Sequence, residues 1–263
     1  MNAGYLKYYD RPSAFAPFRF LFDGLLCGSN LRRVSLLNRK RDYERISGDA
    51  GLLALHKNIN QLLLDAGANW QGYDYGEGYL YQGCPQVGLS GLRDTGARVE
   101  AMELASHVAG RSVLEIGCNS GFLSLSIADA AKSVVGFDVN PYLIKMGEVV
   151  GQHLGIDNVS LLESSFESFD SDEKFGAVLS FANHTTYDGN TKQTLSEYFG
   201  RCARHLDADG ILLFESHAPG YEKDRLDGVL DVMAEHFDIQ SKTVLNYGTF
   251  LDDGRTFCVA RKR

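Results

Sequence analysis

After Gly110 the chain alternates short apolar runs with stretches of helix length, and this alternation limits its folding more than any single residue does. The runs are S-V-L-E-I at 112–116, S-V-V-G-F-D at 133–138, V-S-L-L-E at 159–163, F-G-A-V-L-S-F at 175–181 and I-L-L-F-E-S at 211–216. Helix candidates between them run from Gly121 to Ala131 and from Pro141 to Leu154. Short runs this apolar read as strands buried on both faces, and their alternation with helices indicates a parallel sheet covered on both sides. Two further runs, I-Q-S-K-T-V-L at 239–245 and T-F-C-V-A-R at 256–261, are joined by N-Y-G-T-F-L-D-D-G-R. A parallel crossover takes about a dozen residues or more and usually a helix, so this pair must be antiparallel. The expected fold class is α/β: a doubly wound, mostly parallel seven-stranded sheet with an antiparallel last strand.

The most informative stretch is V-L-E-I-G-C-N-S-G-F, residues 113–122. A buried strand carries Glu115 near its end, a Gly-x-x-x-Gly turn follows, and a helix begins. Glycines at 117 and 121 let the backbone turn tightly and come close to a ligand, and a helix N-terminus presents free N–H groups. Seventeen residues beyond Gly121 the next strand ends in Asp138, followed by Val139. An acidic side chain at that tip can accept both hydroxyls of a ribose in doubly wound folds. The dinucleotide fingerprint G-x-G-x-x-G is absent, because positions 117, 119 and 122 read Gly, Asn and Phe. The phosphate loop G-x-x-x-x-G-K-[ST] fails too, since Gly121 is followed by Phe122 and Leu123. The stretch suits a nucleoside without phosphates.

These residues resemble the class I S-adenosylmethionine-dependent methyltransferases, whose first motif is an acidic residue followed by x-Gly-x-x-x-Gly. The resemblance covers about residues 85–263. It implies a Rossmann-like sheet, methyl transfer as the activity and S-adenosyl-L-methionine as the cofactor. It further implies that Glu115 and Gly117 lie against the methionine end, with Cys118, Asn119, Gly121 and Phe122 completing the loop. Asp138 and Val139 would meet the ribose, and Ser165 and Phe166 would flank the adenine. Ser165 stands where the family often has an acidic residue, although its hydroxyl can still bond the adenine amino group. Asn183 or His184 would lie beside the sulfonium. The segment G-L-S-G-L-R-D-T-G-A-R resembles a subgroup with an Arg and a Thr ahead of the core, which implies that Arg93 or Arg98 pairs with the cofactor carboxylate.

Methyl transfer needs the acceptor in line with the S–CH3 bond, and an oxygen acceptor of high pKa also needs a base. Two histidines follow strands at the end of the sheet where ligands bind, His184 after the fourth and His217 after the fifth. Imidazole titrates near neutrality, so both are candidate catalytic bases. His184, Asp188, Glu215 and His217 could instead converge on a divalent metal, but no H-x-x-x-H spacing supports this and no metal is expected.

Residues 1–84 read as a helical N-terminal cap over the substrate, ahead of a methyltransferase domain at 85–263. Leu52, Leu53, Leu55, Ile59, Leu62, Leu63 and Leu64 are spaced as in a helix that ends at D-A-G-A-N. Trp70, Tyr73, Tyr75, Tyr79 and Tyr81 then form a substrate wall or, on the favoured reading, a packed junction. Asp94 or Thr95 could cap a further helix that stops at Gly110.

Charge is uneven: residues 1–60 hold ten Lys and Arg against five Asp and Glu, whereas the remainder holds 16 against 29. Arg32, Arg33, Arg39, Lys40, Arg41 and Arg45 fall close together. Such a cluster can bind phosphate or an anionic membrane surface, but charge runs are more often solvated helix faces. Upstream, A-F-A-P-F-R-F-L-F-D-G-L-L could lie on a membrane interface, although packing on the main domain is the favoured reading. The five cysteines are odd in number and never in a C-x-x-C pair, which suggests reduced thiols. No run reaches the roughly 20 apolar residues of a membrane span, and the first residues lack a signal-peptide pattern, so a cytoplasmic location is expected.

The expected function is methylation of an oxygen, or in second place a nitrogen, of a small polar acceptor such as a sugar or secondary metabolite. One alternative is an RNA-modifying transferase of the kind acting on wobble uridine in transfer RNA. Its nucleic-acid partner would be held by the basic first residues and repelled by the acidic remainder. Another is a non-catalytic, cofactor-binding regulatory protein.

Overall fold

The structure, a computed structural model, describes residues 30–186, 191–220, 222, 225–247 and 253–263, with side chains from residue 33 onward. The apolar segment at 14–26, the Arg32 side chain and Asp188 lie outside the described residues.

The seven expected strands form one sheet: β1 (Ser112–Ile116), β2 (Ser133–Asp138), β3 (Val159–Glu163), β4 (Phe175–Phe181), β5 (Leu206–Glu215), β6 (Phe237–Leu245) and β7 (Arg255–Lys262), in the order β3-β2-β1-β4-β5-β7-β6. Neighbours from β3 to β5 are parallel. β7 runs antiparallel to both β5 and β6. The antiparallel last strand is therefore present, but it is inserted between β5 and β6. β1, β2, β4 and β5 all run the same way, so their carboxyl ends share one end of the sheet, and the strand order reverses between β1 and β4, the place where ligands collect in such folds.

Burial explains why these segments are strands. β4 is buried on both faces from Phe175 to Ser180, as the unbroken apolar run predicts, whereas β6 is buried only at its ends. Phe137 of β2 stacks on Phe169 with ring centroids 4.7 Å apart and on Phe166 at 6.1 Å. These rings join Tyr198, Phe199, Phe214 and Phe237 in the main core.

The helices are α1 (Asn30–Ile46), α2 (Ala50–Asn69), α3 (Thr95–Ala101), α4 (Leu104–Val108), α5 (Phe122–Ser126), α6 (Pro141–Leu154), α7 (Leu195–His205) and α8 (Leu226–Ala234), with a 3-10 turn at Pro85–Val87. The ends of α6 follow its sequence. Asn140 accepts from the Tyr142 N–H, Pro141 fills the first turn, and Gly155 closes the helix in the left-handed conformation.

Three boundaries differ from the sequence reading. α2 runs through D-A-G-A-N to Asn69, where the Asn69 amide returns to the Asp65 carbonyl. The single helix expected before Gly110 is broken between α3 and α4 by Glu103, whose φ of 48° is left-handed. The helix expected from Gly121 to Ala131 is only the five residues of α5.

The chain divides into two compact units. One comprises Met1–Gly96, Asn119–Leu123 and Asn140–Asp157; the other comprises Ala97–Cys118, Ser124–Val139 and Asn158–Arg263 and holds the whole sheet. The first of these units takes in residues on both sides of position 84, together with the end of the glycine loop and α6. Within that unit α2 packs along α6. Tyr79 donates to buried Asp42, which also accepts from the Ser90 N–H and hydroxyl. Arg39 of the basic cluster is buried against Asn60 and the Tyr79 ring, while Arg33, Arg41 and Arg45 are exposed. Tyr73 is 50% exposed.

Candidate active site

Beyond β1 the backbone enters the left-handed region three times in five residues, at Gly117 (φ 61°), Asn119 (φ 55°) and Gly121 (φ 67°). After glycine, Asn is among the residues that tolerate this region best. Gly117 has a second constraint, since a Cβ there would come within 3.2 Å of Asn183 Nδ2. Asn183 is itself fixed. Its amide donates to the Ile116 carbonyl, and its oxygen accepts from the Tyr198 hydroxyl at 2.6 Å and the Ser180 hydroxyl at 3.0 Å. The turns after β1 and β4 are thereby tied together by one side chain. Ala182, between β4 and Asn183, has φ 55°, a strained conformation for alanine.

Glu115 is buried and accepts from the Ser124 hydroxyl. Burial pushes its carboxyl up to about 7, against the hydrogen bond from Ser124 and the charge of Arg98. Arg98, one of the two arginines expected on the cofactor carboxylate, has its Nη2 donating to Glu215 Oε2 at 2.6 Å, with both side chains buried. Arg98 Nε has no hydrogen-bond partner among the described residues. Arg93, in the other unit, is buried and donates to the Tyr81 hydroxyl at 3.2 Å.

Cys118 and Phe122 are fully buried. Asp138 is half-buried at the carboxyl end of β2, with Val139 beside it, and its carbonyl accepts from the Ser164 N–H. The Ser165 hydroxyl accepts from the Ser168 N–H, closing a local turn. Phe166 keeps only 7% of its surface exposed, so little more than a ring edge is open to an adenine.

His184 and His217 come together, their ring centroids 5.0 Å apart. Between them stands Glu222, which sequence reasoning missed. His184 Nε2 lies 3.0 Å from Glu222 Oε1, and the His217 backbone N–H donates to Glu222 Oε2 at 3.1 Å. His217 Nε2 donates to the Thr185 carbonyl at 3.0 Å. His184 Nδ1 is buried and has no hydrogen-bond partner among the described residues. Burial opposes charge on Glu222, but the hydrogen bond from His184 and the charges of the two histidines hold its carboxyl below the ordinary value. An ionised Glu222 accepts a proton-bearing Nε2, which leaves Nδ1 of His184 with its lone pair.

One ligand atom from each of His184, His217 and Glu222 falls within 4.8 Å of the others, a spacing open to a cation. A ligating histidine ordinarily donates its second N–H to an acceptor, which His184 Nδ1 lacks, so the chemistry of a proton acceptor fits better. Glu215, weighed as a ligand from sequence, is taken by Arg98.

Burial pushes His217 down to about 4 from 6.5, and the neighbouring His184 adds to this. The native state thus refuses a proton that an unfolded chain accepts, so this group adds stability as pH rises from about 4 to about 6.5 and nothing further above that. His217→Gln is expected to lose this slope. Melting temperatures across that range should show the gap between wild type and variant widening with pH up to about 6.5.

A sheet in this order, with a glycine turn after β1 and an acid closing β2, defines the class I S-adenosylmethionine-dependent methyltransferases. Residues 107–250 match the family described as a methyltransferase domain, and the chain belongs to it. It is similar to a putative protein N5-glutamine methyltransferase of Methanocaldococcus jannaschii, with 31% identity over 123 residues, 40% of this chain and 61% of that one. It is also similar to ribosomal RNA small subunit methyltransferase G of Shewanella woodyi, 30% identical over 86 residues that cover 32% of this chain and 42% of that one. The chain thus spans about half the length of these relatives. Among solved structures, N-methyltransferase NodS of Bradyrhizobium japonicum with S-adenosyl-L-homocysteine has a TM-score of 0.52 at 17% identity, covering 65% of this chain and 90% of that one. A putative S-adenosylmethionine-dependent methyltransferase of Listeria monocytogenes has a TM-score of 0.52 at 13% identity, covering 65% and 100%.

The cofactor of this family is S-adenosylmethionine, and the residues present fit it. A Cβ at Gly117 would crowd Asn183, Gly117 itself is exposed, and carboxylates stand near the ends of β1 and β2 for the polar groups of a nucleoside and an amino acid. Among the described residues no helix is long and apolar enough to cross a membrane.

Proposed function

We propose that the protein methylates an oxygen of a small polar acceptor, such as a sugar or secondary metabolite, with His184 as the base. S-adenosylmethionine supplies an electrophilic methyl group on a sulfonium. Glu115, Gly117, Cys118 and the loop to Phe122 would hold its methionine end, Arg93 or Arg98 its carboxylate, Asp138 and Val139 its ribose, and Ser165 and Phe166 its adenine. Asn183 fixes the turn that carries His184. Glu222 holds Nε2 of His184 in the protonated form, so Nδ1 is the atom that takes a proton from an acceptor hydroxyl. His217 keeps Glu222 in place through its backbone N–H and stays neutral itself. The observation that carries the reading is the pairing of a fixed Nε2 with a buried Nδ1 that has no hydrogen-bond partner among the described residues.

Calorimetric titration tests the division of roles. Asp138→Ala is expected to weaken S-adenosylmethionine binding about tenfold or more through loss of the ribose hydrogen bonds, while His184→Ala binds as wild type does. Equal losses in the two variants would overturn it.

A nitrogen acceptor is the second reading, favoured by the names of the similar glutamine methyltransferase and NodS. A neutral amine brings its own lone pair and needs no base, so activity that survives His184→Ala would support it. An RNA acceptor would show steep salt dependence of binding. The excess of Asp and Glu beyond residue 60 argues against a polyanion.

A further inference from the structure

We infer that Gln82 is a positioning residue for the cofactor: its side-chain oxygen, bonded to the Phe122 N–H and the Ser120 hydroxyl, sets the shape of the glycine loop. The inference rests on the reading that this loop holds S-adenosylmethionine.

Gln82 Oε1 lies 3.1 Å from the Phe122 nitrogen and 3.3 Å from Ser120 Oγ. Gln82 and Ser120 are both buried, at 4% and 0% exposure, so water does not replace either bond easily. The loop needs such a hold. It passes through three left-handed residues and leads into α5, whose five residues are too few for a helix that sustains itself. α5 has no acidic residue in its first turn, so the Phe122 N–H finds its acceptor 40 residues upstream.

Gln82 is itself held on both sides. It bridges Arg93 in a short paired segment where the Gly83 N–H donates to the Arg93 carbonyl at 2.9 Å and the Arg93 N–H donates to the Tyr81 carbonyl at 2.8 Å. The pairing depends on Gly91, because a Cβ there would lie 2.3 Å from the Gln82 carbonyl carbon. The loop between the paired residues is tied to α2 by the 2.7 Å bond between His56 Nε2 and the Val87 carbonyl. α1 holds it as well, through Asp42 and Ser90. A segment hydrogen-bonded to both α1 and α2 therefore delivers one acceptor to the end of the glycine loop. Its role is to keep the loop in one conformation before the cofactor arrives, which lowers the ordering cost of binding.

Two substitutions separate this role from a structural one. Gln82→Met keeps length and volume but has no acceptor oxygen, whereas Gln82→Glu keeps the oxygen. The Kd for S-adenosyl-L-homocysteine, the KM for S-adenosylmethionine, kcat and the melting temperature are measured for each. Gln82→Met is expected to raise Kd and KM about tenfold and change kcat less than about twofold, and Gln82→Glu is expected to recover Kd to within about threefold of wild type. An unchanged Kd in Gln82→Met overturns the inference, as does an equal loss in both variants. Should Gln82→Met fail to fold, Ser120→Ala removes one donor alone and is expected to raise Kd about threefold; an unchanged Kd there overturns it too. Asp138→Ala serves as the reference. If wild type binds no S-adenosyl-L-homocysteine, or Asp138→Ala binds it as tightly as wild type, the cofactor reading of the loop fails first and the role of Gln82 falls with it.

Discussion

Replacing His184 by alanine is expected to lower methyl transfer by about two to four orders of magnitude, the usual worth of a positioned general base. Cofactor affinity should stay within about threefold, because His184 is committed to Glu222 and the Phe214 ring, 5.1 Å away between centroids. The companion variant is Glu222→Gln. It preserves shape but presents an amide that can donate as well as accept, so the imidazole is no longer held with its proton on Nε2. We expect kcat to fall about 10- to 100-fold with KM for S-adenosylmethionine nearly unchanged. Single-turnover kinetics with an identified hydroxyl acceptor checks both. Full activity in His184→Ala would remove the base from His184 and turn attention to nitrogen acceptors.

The second large effect concerns stability. Arg98→Met is expected to destabilise the fold by about 3 to 5 kcal/mol, because it leaves Glu215 buried at 0% exposure without its 2.6 Å partner. Arg255 stands 4.0 Å from the same carboxylate, and the Tyr247 hydroxyl donates to it at 3.4 Å, so part of the charge remains answered. The double variant Arg98→Met with Glu215→Gln should regain more than half of the loss, since no buried charge is then left behind. Urea denaturation at neutral pH reads all three proteins. A loss below about 1 kcal/mol in the single variant would mean that Glu215 takes up a proton or that Arg255 moves in to replace Arg98.

Strand positions were legible because their cause is local. A run such as Phe175 to Phe181 is apolar but for Ser180, and it is buried from Phe175 to Ser180 in the sheet. Lateral order was not legible, since nothing in T-F-C-V-A-R tells it to enter between β5 and β6. The helix break at Glu103 escaped for a related reason: the apolar spacing continues across it while the backbone does not. At the site, the motif and Asp138 were readable from residue type and spacing, and so were two histidines after adjacent strands. Their partners were not. Glu222 is 38 residues from His184, and Gln82 is 40 from Phe122. Arg98 and Glu215 are 117 apart, and a single sequence carries no sign of such pairings. An acidic residue five positions after His217, in a loop with Pro and Gly, was the one available hint of Glu222.

The place of β7 imposes an order on synthesis. During translation β6 emerges before β7, its one partner among the described strands, and β5 has one of its two edges open until β7 arrives. A nascent chain that has made Leu245 but not Arg255 therefore leaves the facing edges of β5 and β6 both unpaired, a form open to association with other chains. Completion of the sheet must wait for Arg255–Lys262, so the catalytic unit is finished in a single late step rather than strand by strand.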